Sequence, residues 1–371
     1  MNILLAGRLG RYAERILALR RLGHDLVYCT LPAPRQKPLP DNLHDDSIPL
    51  HVLEPGQVAR QVRELISRHE IDVVYSMKNV WDGSLELVDE LVAAGVGPVV
   101  RHYKEHFCRP DDAERRSLTR TAGQIYINEE SLEHFRRLYD VDPGTAHIMD
   151  TDYLPAAYMT EELRTPLYET DGRPHLLVAG GVSTTGGRND IRVLCSAMAR
   201  HGVHVHIYGG KYVGPNALGV WSVGDRGTRD AYAELAESPW IHLHPHVEPR
   251  RFTAEWSVYD AGLMHVRANG TVDAPFQRMN QPNRLAPYLA AGLPPAQHRG
   301  GQSAMERLVE GTGVGFVYRD FDELAERLKD RAALAALRAT ALARRHDFTF
   351  ERHAGDVIGI LDRYRLKGNG A

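Results

Sequence analysis

Two glycine-containing turns are the places in this 371-residue chain where residue types and spacing first suggest ligand chemistry. Gly7-Arg8-Leu9-Gly10 follows the apolar run Ile3–Ala6, and Gly180–Arg188 follows the apolar run His175–Ala179. A helical pattern comes after each turn. Glycine lets the backbone approach a ligand closely, and the N-terminus of a helix favours an anion. The second turn combines four glycines, three hydroxyls and the cation Arg188, a combination that suits a phosphate.

The first turn permits three interpretations. A dinucleotide site there calls for an Asp or Glu near the end of the second strand, to hold ribose hydroxyls. That strand ends in Tyr28-Cys29-Thr30 and has no acidic residue at its end, which disfavours an NAD site. Two alternatives stay open: a tight turn without a ligand, and a loop that lines a cleft for some other ligand.

A third candidate is the segment Gln281–Pro294, which predicts a short helix. Pro282 fits the first helical turn and Gly292 fits the stop. Arg284 is then expected in the first turn, where the helix dipole disfavours a cation unless an anion binds beside it. The alternative is an exposed, solvated arginine.

The chain has 19 histidines, and five of them alternate at spacing two: His204 and His206, then His242, His244 and His246. Residues i and i+2 of a strand share a face, so each group can converge on a metal ion or pack under a helix. No cysteine and no clear acidic partner follows at ligand spacing, which favours packing. His246 lies past its strand, where a ligand of the sheet binds.

Apolar runs alternate with amphipathic stretches along the chain, which predicts parallel βαβ units. The alternation stalls between about Asp150 and Pro174 and then restarts. We therefore predict an N-terminal domain over 1–155, a linker over 156–173, a C-terminal domain over 174–349 and a closing helical segment over 350–371. The predicted helices are 57–68, 84–94, 111–121 and 350–364, and the predicted strands include 71–75, 97–100, 124–127, 203–208, 241–244, 261–264 and 314–318.

Composition excludes several classes of protein. The net charge of −3 is unlike that of a dedicated nucleic-acid binder, and 43% hydrophobic with 25% charged residues is typical of a globular chain. No apolar run reaches the roughly 18 residues of a membrane helix. With no leader pattern at the N-terminus, we expect a cytoplasmic protein. The three cysteines are far apart and suggest neither a disulfide framework nor a zinc motif.

Three segments carry a resemblance to a known family. Pro282-Asn283-Arg284, continued by Tyr288-Leu289-Ala290-Ala291-Gly292-Leu293-Pro294, is similar to the P-x-K-x-x-E-Y-x-A-x-G-x-P signature, with Arg for Lys. Tyr259–Leu263 resembles the strand that precedes it, and Ile241–Val247 resembles the strand and loop beside a donor nucleotide. Together they resemble the C-terminal domain of GT-B glycosyltransferases, particularly the family 4-like group.

The resemblance implies an α/β fold of two Rossmann-like, doubly wound parallel-sheet domains facing a cleft, with a C-terminal helix that returns to the first domain. It implies transfer of a sugar from a nucleotide diphosphate-sugar, such as a UDP-sugar, to a hydroxyl or amine of a small molecule or glycan, without metal or other cofactor. The implied donor-side residues are Gly180, Gly181, Arg188, Gly209, His246, Val247, Asn280, Asn283 and Arg284. The implied acceptor-side residues are Gly7, Arg8, Gly10, Lys78, Asn79 and Lys104.

His102 is expected after its strand, lining the cleft near the transferred sugar, and His102 or Glu105 would be the base of an inverting reaction. One departure stands out: the acidic pair E-x7-E is absent, and Pro287 occupies the place of its second Glu. Neutral hydrogen bonds from Asn280, Gln281 or Asn283 could replace it. Three rivals follow: a nucleotide-sugar 2-epimerase, a catalytically silent nucleotide-sugar-binding protein and an NAD-dependent dehydrogenase. The oligomeric state is not predicted.

Overall fold

The fold contains two parallel β-sheets. This computed structural model describes residues 1–7, 18–32, 48–78, 84–103, 111–149, 153–184, 190–208, 226–245, 247–264 and 278–366. Each sheet belongs to its own unit of the chain. Unit 1 consists of Met1–Thr151 and Phe350–Ala371, and unit 2 consists of Asp152–Thr349.

The sheet of unit 1 is parallel throughout. Its strands are β1 (Asn2–Ala6), β2 (Asp25–Thr30), β3 (Leu50–Val52), β4 (Val73–Lys78), β5 (Val99–Tyr103), β6 (Gly123–Tyr126) and β7 (Ala146–Ile148). They pair in the order β3-β2-β1-β4-β5-β6-β7. Strands β5 and β6 are buried along their whole length, as expected where both faces of a sheet are covered. Strand β7 was not predicted, because it is a short and partly exposed edge strand without an apolar run.

Strands β4 and β5 extend further than predicted. Strand β4 runs to Lys78, past the predicted end at Tyr75, and β5 runs to Tyr103, past Val100. The register pairs Ser76 with Arg101 and Met77 with His102, so the ladder between the two strands continues through these polar residues. As a consequence, His102 lies inside a strand and not in the loop after it.

Helices cover the sheet of unit 1. Those with described bounds are α1 (Val58–Arg68), α2 (Ser84–Ala93), α3 (Asp112–Leu118), α4 (Glu129–Leu138) and α13 (Phe350–Arg363). Helix α3 ends three residues before the predicted Thr121 because Ala122 already pairs its backbone N–H with Val99 O of β5. Helix α4 was not predicted, although Asn128 caps it through Ser131 N.

The last helix, α13, packs on the sheet of unit 1. Val357 and Leu361 are buried in the same core cluster as residues of β1, β4, β5 and β6. The ring of Tyr364 lies directly over Gly123, where an added Cβ would be 2.4 Å from it. The Tyr364 hydroxyl also bonds His147 Nε2 at 2.8 Å. The predicted return of the C-terminal helix to the first domain is therefore confirmed.

Unit 2 repeats the architecture. Its strands are β8 (His175–Ala179), β9 (His204–Tyr208), β10 (Ile241–Leu243), β11 (Ala261–Leu263), β12 (Pro295–His298) and β13 (Phe316–Tyr318). They pair in parallel in the order β10-β9-β8-β11-β12-β13. Its helices with described bounds are α5 (Tyr168–Asp171), α6 (Arg192–Arg200), α7 (Arg226–Leu235), α8 (Phe252–Trp256), α9 (Leu285–Ala290), α10 (Ser303–Thr312), α11 (Phe321–Lys329) and α12 (Arg331–Arg344).

Residues 156–173, predicted to be a linker, pack instead as part of unit 2. Tyr158 is buried in its core, and the Tyr158 carbonyl accepts a hydrogen bond from the Thr253 hydroxyl at 2.7 Å. The backbone N–H of Leu167 donates to Val258 O at 2.8 Å. The stretch lacks a regular period because it follows α8 and the turn after it rather than forming long elements of its own.

Within the part of the chain that the structure describes, no helix is both long and apolar enough to cross a membrane. Cys29 and Cys195 are buried free thiols. Burial raises the pKa of each thiol to about 12, so neither is a reactive thiolate at neutral pH.

Candidate functional site at the carboxyl edge of the second sheet

The carboxyl ends of β10, β9, β8 and β11 lie side by side, because these strands are neighbours in a parallel sheet. Ligands of open parallel sheets bind at this edge. The predicted donor residues Gly180 and Gly181 follow β8 here, and Gly180 adopts a φ of +121° that favours glycine. Arg188, Gly209 and His246 lie outside the described residues.

Tyr288 joins two of these strand ends. Its ring is fully buried, and its hydroxyl accepts a hydrogen bond from Ala179 N at 2.8 Å while donating to Leu263 O at 3.1 Å. The ring lies across Gly262, where an added Cβ would be 2.4 Å from Cδ2 of the tyrosine. The glycine of the Tyr259–Leu263 segment and the tyrosine of the Pro282–Pro294 segment are therefore one packing unit that fixes the ends of β8 and β11.

Arg284 lies at the same edge, where it is hydrogen-bonded to Met264, the residue that follows β11. Its Nη1 donates to the carbonyl of Met264 at 2.8 Å. Burial lowers the pKa of Arg284, while neighbouring Tyr288 opposes this shift. An arginine still carries its charge at neutral pH, so the structure places a half-buried cation beside the strand ends.

The position of Arg284 corrects the sequence prediction in one respect. Helix α9 begins at Leu285, so Arg284 is the residue before the helix and not part of its first turn. The Leu285 N–H donates to Pro282 O at 3.0 Å, which makes 282–285 a turn ahead of the helix. At the other end, Gly292 adopts a φ of +72° just after the helix, as predicted for a stop.

The remaining residues predicted for the donor side differ in their exposure to solvent. Asn280 is half-buried, Asn283 is exposed and Gln281 is 7% exposed. Val247 is 8% exposed and belongs to the core of unit 2, so its side chain is a packing group. Only the backbone of Val247 can serve a ligand.

Aromatic rings flank the ends of β9 and β10. Tyr208 and His244 stack with ring centroids 4.4 Å apart, and the Tyr208 hydroxyl bonds that of Tyr259 at 2.7 Å. Burial raises the pKa of Tyr208 to about 12, so this phenol remains protonated at neutral pH. The Tyr208 hydroxyl also donates to the Glu255 carboxylate at 3.3 Å, so this ring is fixed by its neighbours at the end of β9.

In unit 1, the structure contradicts the expected exposure of His102. The residue is 0% exposed, and Tyr75 Oη lies 2.7 Å from its Nδ1 while Met149 O lies 2.8 Å from its Nε2. Both ring nitrogens are thus hydrogen-bonded inside the sheet. In this arrangement neither nitrogen can take a proton from an acceptor substrate. His102 instead links β4 and β5 to Met149, the residue after β7.

The other first-unit predictions are only partly described. Gly7 follows β1 with a φ of +128°, its N–H donates to Cys29 O at 3.1 Å, and its carbonyl accepts from the Tyr28 hydroxyl. Lys78 is the last residue of β4. Arg8, Gly10, Asn79, Lys104 and Glu105 lie outside the described residues.

A buried charge cluster in the same sheet was not predicted from the sequence. Arg101 is 0% exposed, with its guanidinium 3.4 Å from the Asp89 carboxylate and 3.7 Å from that of Glu114. The pattern of apolar residues does not predict this cluster, because an arginine that follows an apolar run usually indicates the end of a buried strand. The cluster joins β5 to α2 and α3.

The second sheet also carries an aromatic ladder that the sequence predicted only in part. His175, His204, His206, His242 and His244 lie on one face of β8, β9 and β10, and neighbouring rings bond each other. Burial lowers the pKa of every one of them, and that of His206 falls to about 2. The ladder also has an acidic partner that was not predicted: Asp171 lies 3.1 Å from His175 Nε2.

The whole chain has the fold of solved glycosyltransferases. HepE from Anabaena, in complex with UDP and glucose, matches with a TM-score of 0.68 at 16% identity over 98% of this chain and 100% of that chain. A glycosyltransferase from Rickettsia africae matches with a TM-score of 0.67 at 12% identity over 99% of each chain. Sucrose-phosphate synthase from Thermosynechococcus elongatus matches with a TM-score of 0.68 at 13% identity over 98% of each chain.

No family model matches the sequence, and no curated protein is significantly similar to it. At such low identities the likeness to solved structures establishes the fold alone. The predicted two-domain α/β fold of the GT-B type is thereby confirmed. The narrower family 4-like group stays a prediction.

Proposed function

We propose that this chain is a glycosyltransferase that moves a sugar from a nucleotide diphosphate-sugar to a hydroxyl or amine of a small molecule or glycan. The observation that carries the proposal is the half-buried Arg284 guanidinium, held by Met264 O at the carboxyl edge of the second sheet. Similarity to solved glycosyltransferases over 98% or more of the chain supports it. Because HepE was solved with UDP and glucose, a UDP-sugar is the first donor to test.

The chemistry requires stabilisation of a leaving diphosphate. Negative charge builds on that group as the glycosidic C–O bond breaks, and a preorganised cation beside it lowers the barrier. Arg284 supplies this cation in our proposal, with Arg188 and the backbone N–H groups of Gly180 and Gly181 as further donors. These groups can neutralise the diphosphate without a metal ion, so we propose a metal-independent transfer.

Donor sugar and ribose contacts are assigned to neutral groups. The half-buried Asn280 and the exposed Asn283 stand in the region where the resembling family has its acidic pair, and each amide can both donate and accept hydrogen bonds. Gly209, His246 and the backbone of Val247 complete the proposed donor side.

The acceptor is assigned to the carboxyl edge of the first sheet. Strands β1, β4 and β5 are neighbours in that sheet. Gly7 follows β1, Lys78 ends β4 and Tyr103 ends β5, so all three lie at the same edge. The proposed acceptor side comprises Gly7, Arg8, Gly10, Lys78, Asn79 and Lys104. With both nitrogens of His102 bonded, Glu105 is our candidate base for an inverting reaction.

An assay of nucleoside diphosphate release separates this proposal from its rivals. We expect UDP-glucose or a related donor to release nucleoside diphosphate slowly with water as the acceptor, and faster with a panel of sugar and amine acceptors. A 2-epimerase would instead change the configuration of the donor without acceptor, which NMR of the donor detects. Binding of the donor without release under every condition would identify a silent binding protein and overturn the proposal.

A further inference from the structure

A cluster of Asp171, His175 and His204 lies at the opposite, amino-terminal edge of the second sheet. His175 and His204 are the first residues of β8 and β9 and face each other in register. Asp171 ends helix α5, four residues before His175. One ligand atom from each of the three residues can be chosen so that all lie within 4.8 Å of one another.

The Asp171 carboxylate and His175 Nε2 already have the spacing of two ligands around one ion, and the ligand atom of His204 lies within 4.8 Å of those chosen from the other two residues. Two ligands of a tetrahedral zinc ion lie about 3.3 Å apart, given bonds of about 2.0 Å. His175 Nε2 lies 3.2 and 3.1 Å from the two carboxylate oxygens of Asp171. His204 Nε2 lies 3.9 Å from Asp171 Oδ2, so it must approach by a few tenths of an ångström. The two rings are stacked at 4.7 Å and nearly parallel, so they must also tilt towards the ion.

The outer nitrogens of both histidines are already held. His175 Nδ1 lies 2.9 Å from His206 Nε2, and His204 Nδ1 lies 2.9 Å from His242 Nε2. Metal-binding histidines almost always donate their second N–H to such a partner, which fixes the ring and directs the other nitrogen to the ion. A cation on both Nε2 atoms would leave both protons on Nδ1, and the two partner histidines present Nε2 to accept them.

Access and charge are compatible with an ion from solvent. The Asp171 side chain is 42% exposed, while those of His175 and His204 are 5% and 17% exposed. Of the nearby cations, Arg331 is paired with Asp260 at 2.8 Å, and Arg173 lies over the Trp240 ring. Asp171 thus has its carboxylate open to solvent above two partly buried imidazoles.

We propose that Asp171, His175 and His204 form a binding site for a divalent transition-metal ion of the zinc class. Imidazole nitrogens select such ions over Mg²⁺ and Ca²⁺, and one carboxylate supplies part of the charge. The site lies at the amino edge of β8 and β9, whereas the proposed donor lies at the carboxyl edge. The ion therefore stabilises unit 2 and takes no part in sugar transfer.

The test is a titration of the full chain, freed of any affinity tag and stripped with EDTA, with CoCl₂ and ZnCl₂ alone. We expect one ion per chain by calorimetry and a Co²⁺ visible absorption band typical of nitrogen and oxygen ligands. Asp171→Asn and His204→Gln should each weaken the Kd at least about tenfold, and His242→Gln by about 10- to 100-fold through loss of the supporting contact.

Asp322→Asn is the matched control. His201 and Asp322 form a histidine–aspartate pair at 2.7 Å elsewhere in unit 2, and among the described residues no third histidine, cysteine or carboxylate converges on that pair. This variant should keep the wild-type Kd, and circular dichroism should show each variant folded. The proposal is overturned if the wild type binds no ion at 1:1, or if Asp171→Asn and His204→Gln both keep the wild-type Kd.

Discussion

Arg284 is the residue on which the proposed chemistry depends most. Replacing Arg284 by Ala removes the cation that we place against the leaving diphosphate, and we expect kcat/KM for the donor to fall about 100-fold or more. Initial rates of nucleoside diphosphate release measure this loss. Arg299→Ala is the control, because Arg299 follows β12 at the same edge but is paired on the surface with Glu310 at 2.7 Å.

A loss in Arg284→Ala of less than about threefold, roughly 0.7 kcal/mol, would remove Arg284 from the diphosphate site. Thermal unfolding of the variant must accompany the rates, because the guanidinium also bonds Met264 O. A variant that unfolds at the wild-type temperature and loses activity has lost a donor contact and not its fold.

His102 gives a second prediction at the scale of one residue. In His102→Gln, the Tyr75 hydroxyl and the Met149 carbonyl each lose the buried imidazole nitrogen to which they are hydrogen-bonded. The free energy of unfolding should therefore fall by about 1–3 kcal/mol. Chemical denaturation measures this change. If His102 instead acts as a base, the substitution will lower kcat and abolish the acidic limb of its pH profile while leaving stability nearly unchanged.

At the scale of elements, the contact between Gly262 and Tyr288 holds the ends of β8 and β11 together. Gly262→Ala places a methyl group 2.4 Å from a fully buried ring, and overpacking of this kind costs about 1–3 kcal/mol. Because Tyr288 also bonds Ala179 N and Leu263 O, we expect donor affinity to fall together with the unfolding temperature.

Gly359→Ala provides the matched control for that substitution. Gly359 lies within helix α13, and a Cβ there would meet nothing within 4 Å. Alanine is the better helix residue by about 0.5–1 kcal/mol, so this variant should be neutral or slightly more stable. Equal unfolding temperatures for the two variants would contradict the packing role of Gly262.

The elements also show which parts of the fold the sequence can predict. Strand β8 has the sequence His-Leu-Leu-Val-Ala and is fully buried, so its apolar run predicts it directly. Strand β12 has the sequence Pro-Ala-Gln-His and is also almost fully buried, yet it has no apolar run. It forms because β11 and β13 pair with it on both sides, which is tertiary information that a local pattern does not contain.

The candidate site was predictable to a similar degree. The segments around Gly180, Gly262 and Arg284 carry recognisable residue types, and all three lie at one edge of one sheet. Two features escaped prediction. Asp171 precedes β8 in a stretch without a regular period, and His102 has two partners, Tyr75 and Met149, that are distant in sequence.

For the molecule as a whole, the histidine ladder predicts how stability depends on pH. The five ladder histidines have pKa values below the ordinary 6.5, mainly because burial disfavours the charged form, and that of His206 is about 2. The unfolded chain therefore binds more protons than the folded chain below about pH 6.5, and stability must fall as the pH falls. Burial raises the pKa of Asp260 to about 6, which acts in the opposite direction.

We expect the EDTA-treated protein to lose stability steadily from pH 7 to pH 5, with His206 alone contributing about 2 kcal/mol at pH 5. Denaturant unfolding at a series of pH values measures the slope. His206→Gln should flatten the curve, whereas Gly359→Ala in α13 of unit 1, which changes no titratable group, should leave its slope unchanged. A wild-type curve that stays flat over this range and is not altered by His206→Gln would contradict the lowered pKa values of the ladder histidines.

Calorimetric titration of UDP and of UDP-glucose into the wild-type chain tests the central claim most directly, because donor binding at the second sheet precedes every other step that we propose. We expect one saturable site per chain that binds at least one nucleoside diphosphate or its sugar, with GDP and dTDP and their sugars tested in parallel. The site should be weakened in Arg284→Ala and retained in Arg299→Ala. Absence of binding by every nucleotide and nucleotide-sugar, with the chain folded, would contradict the account.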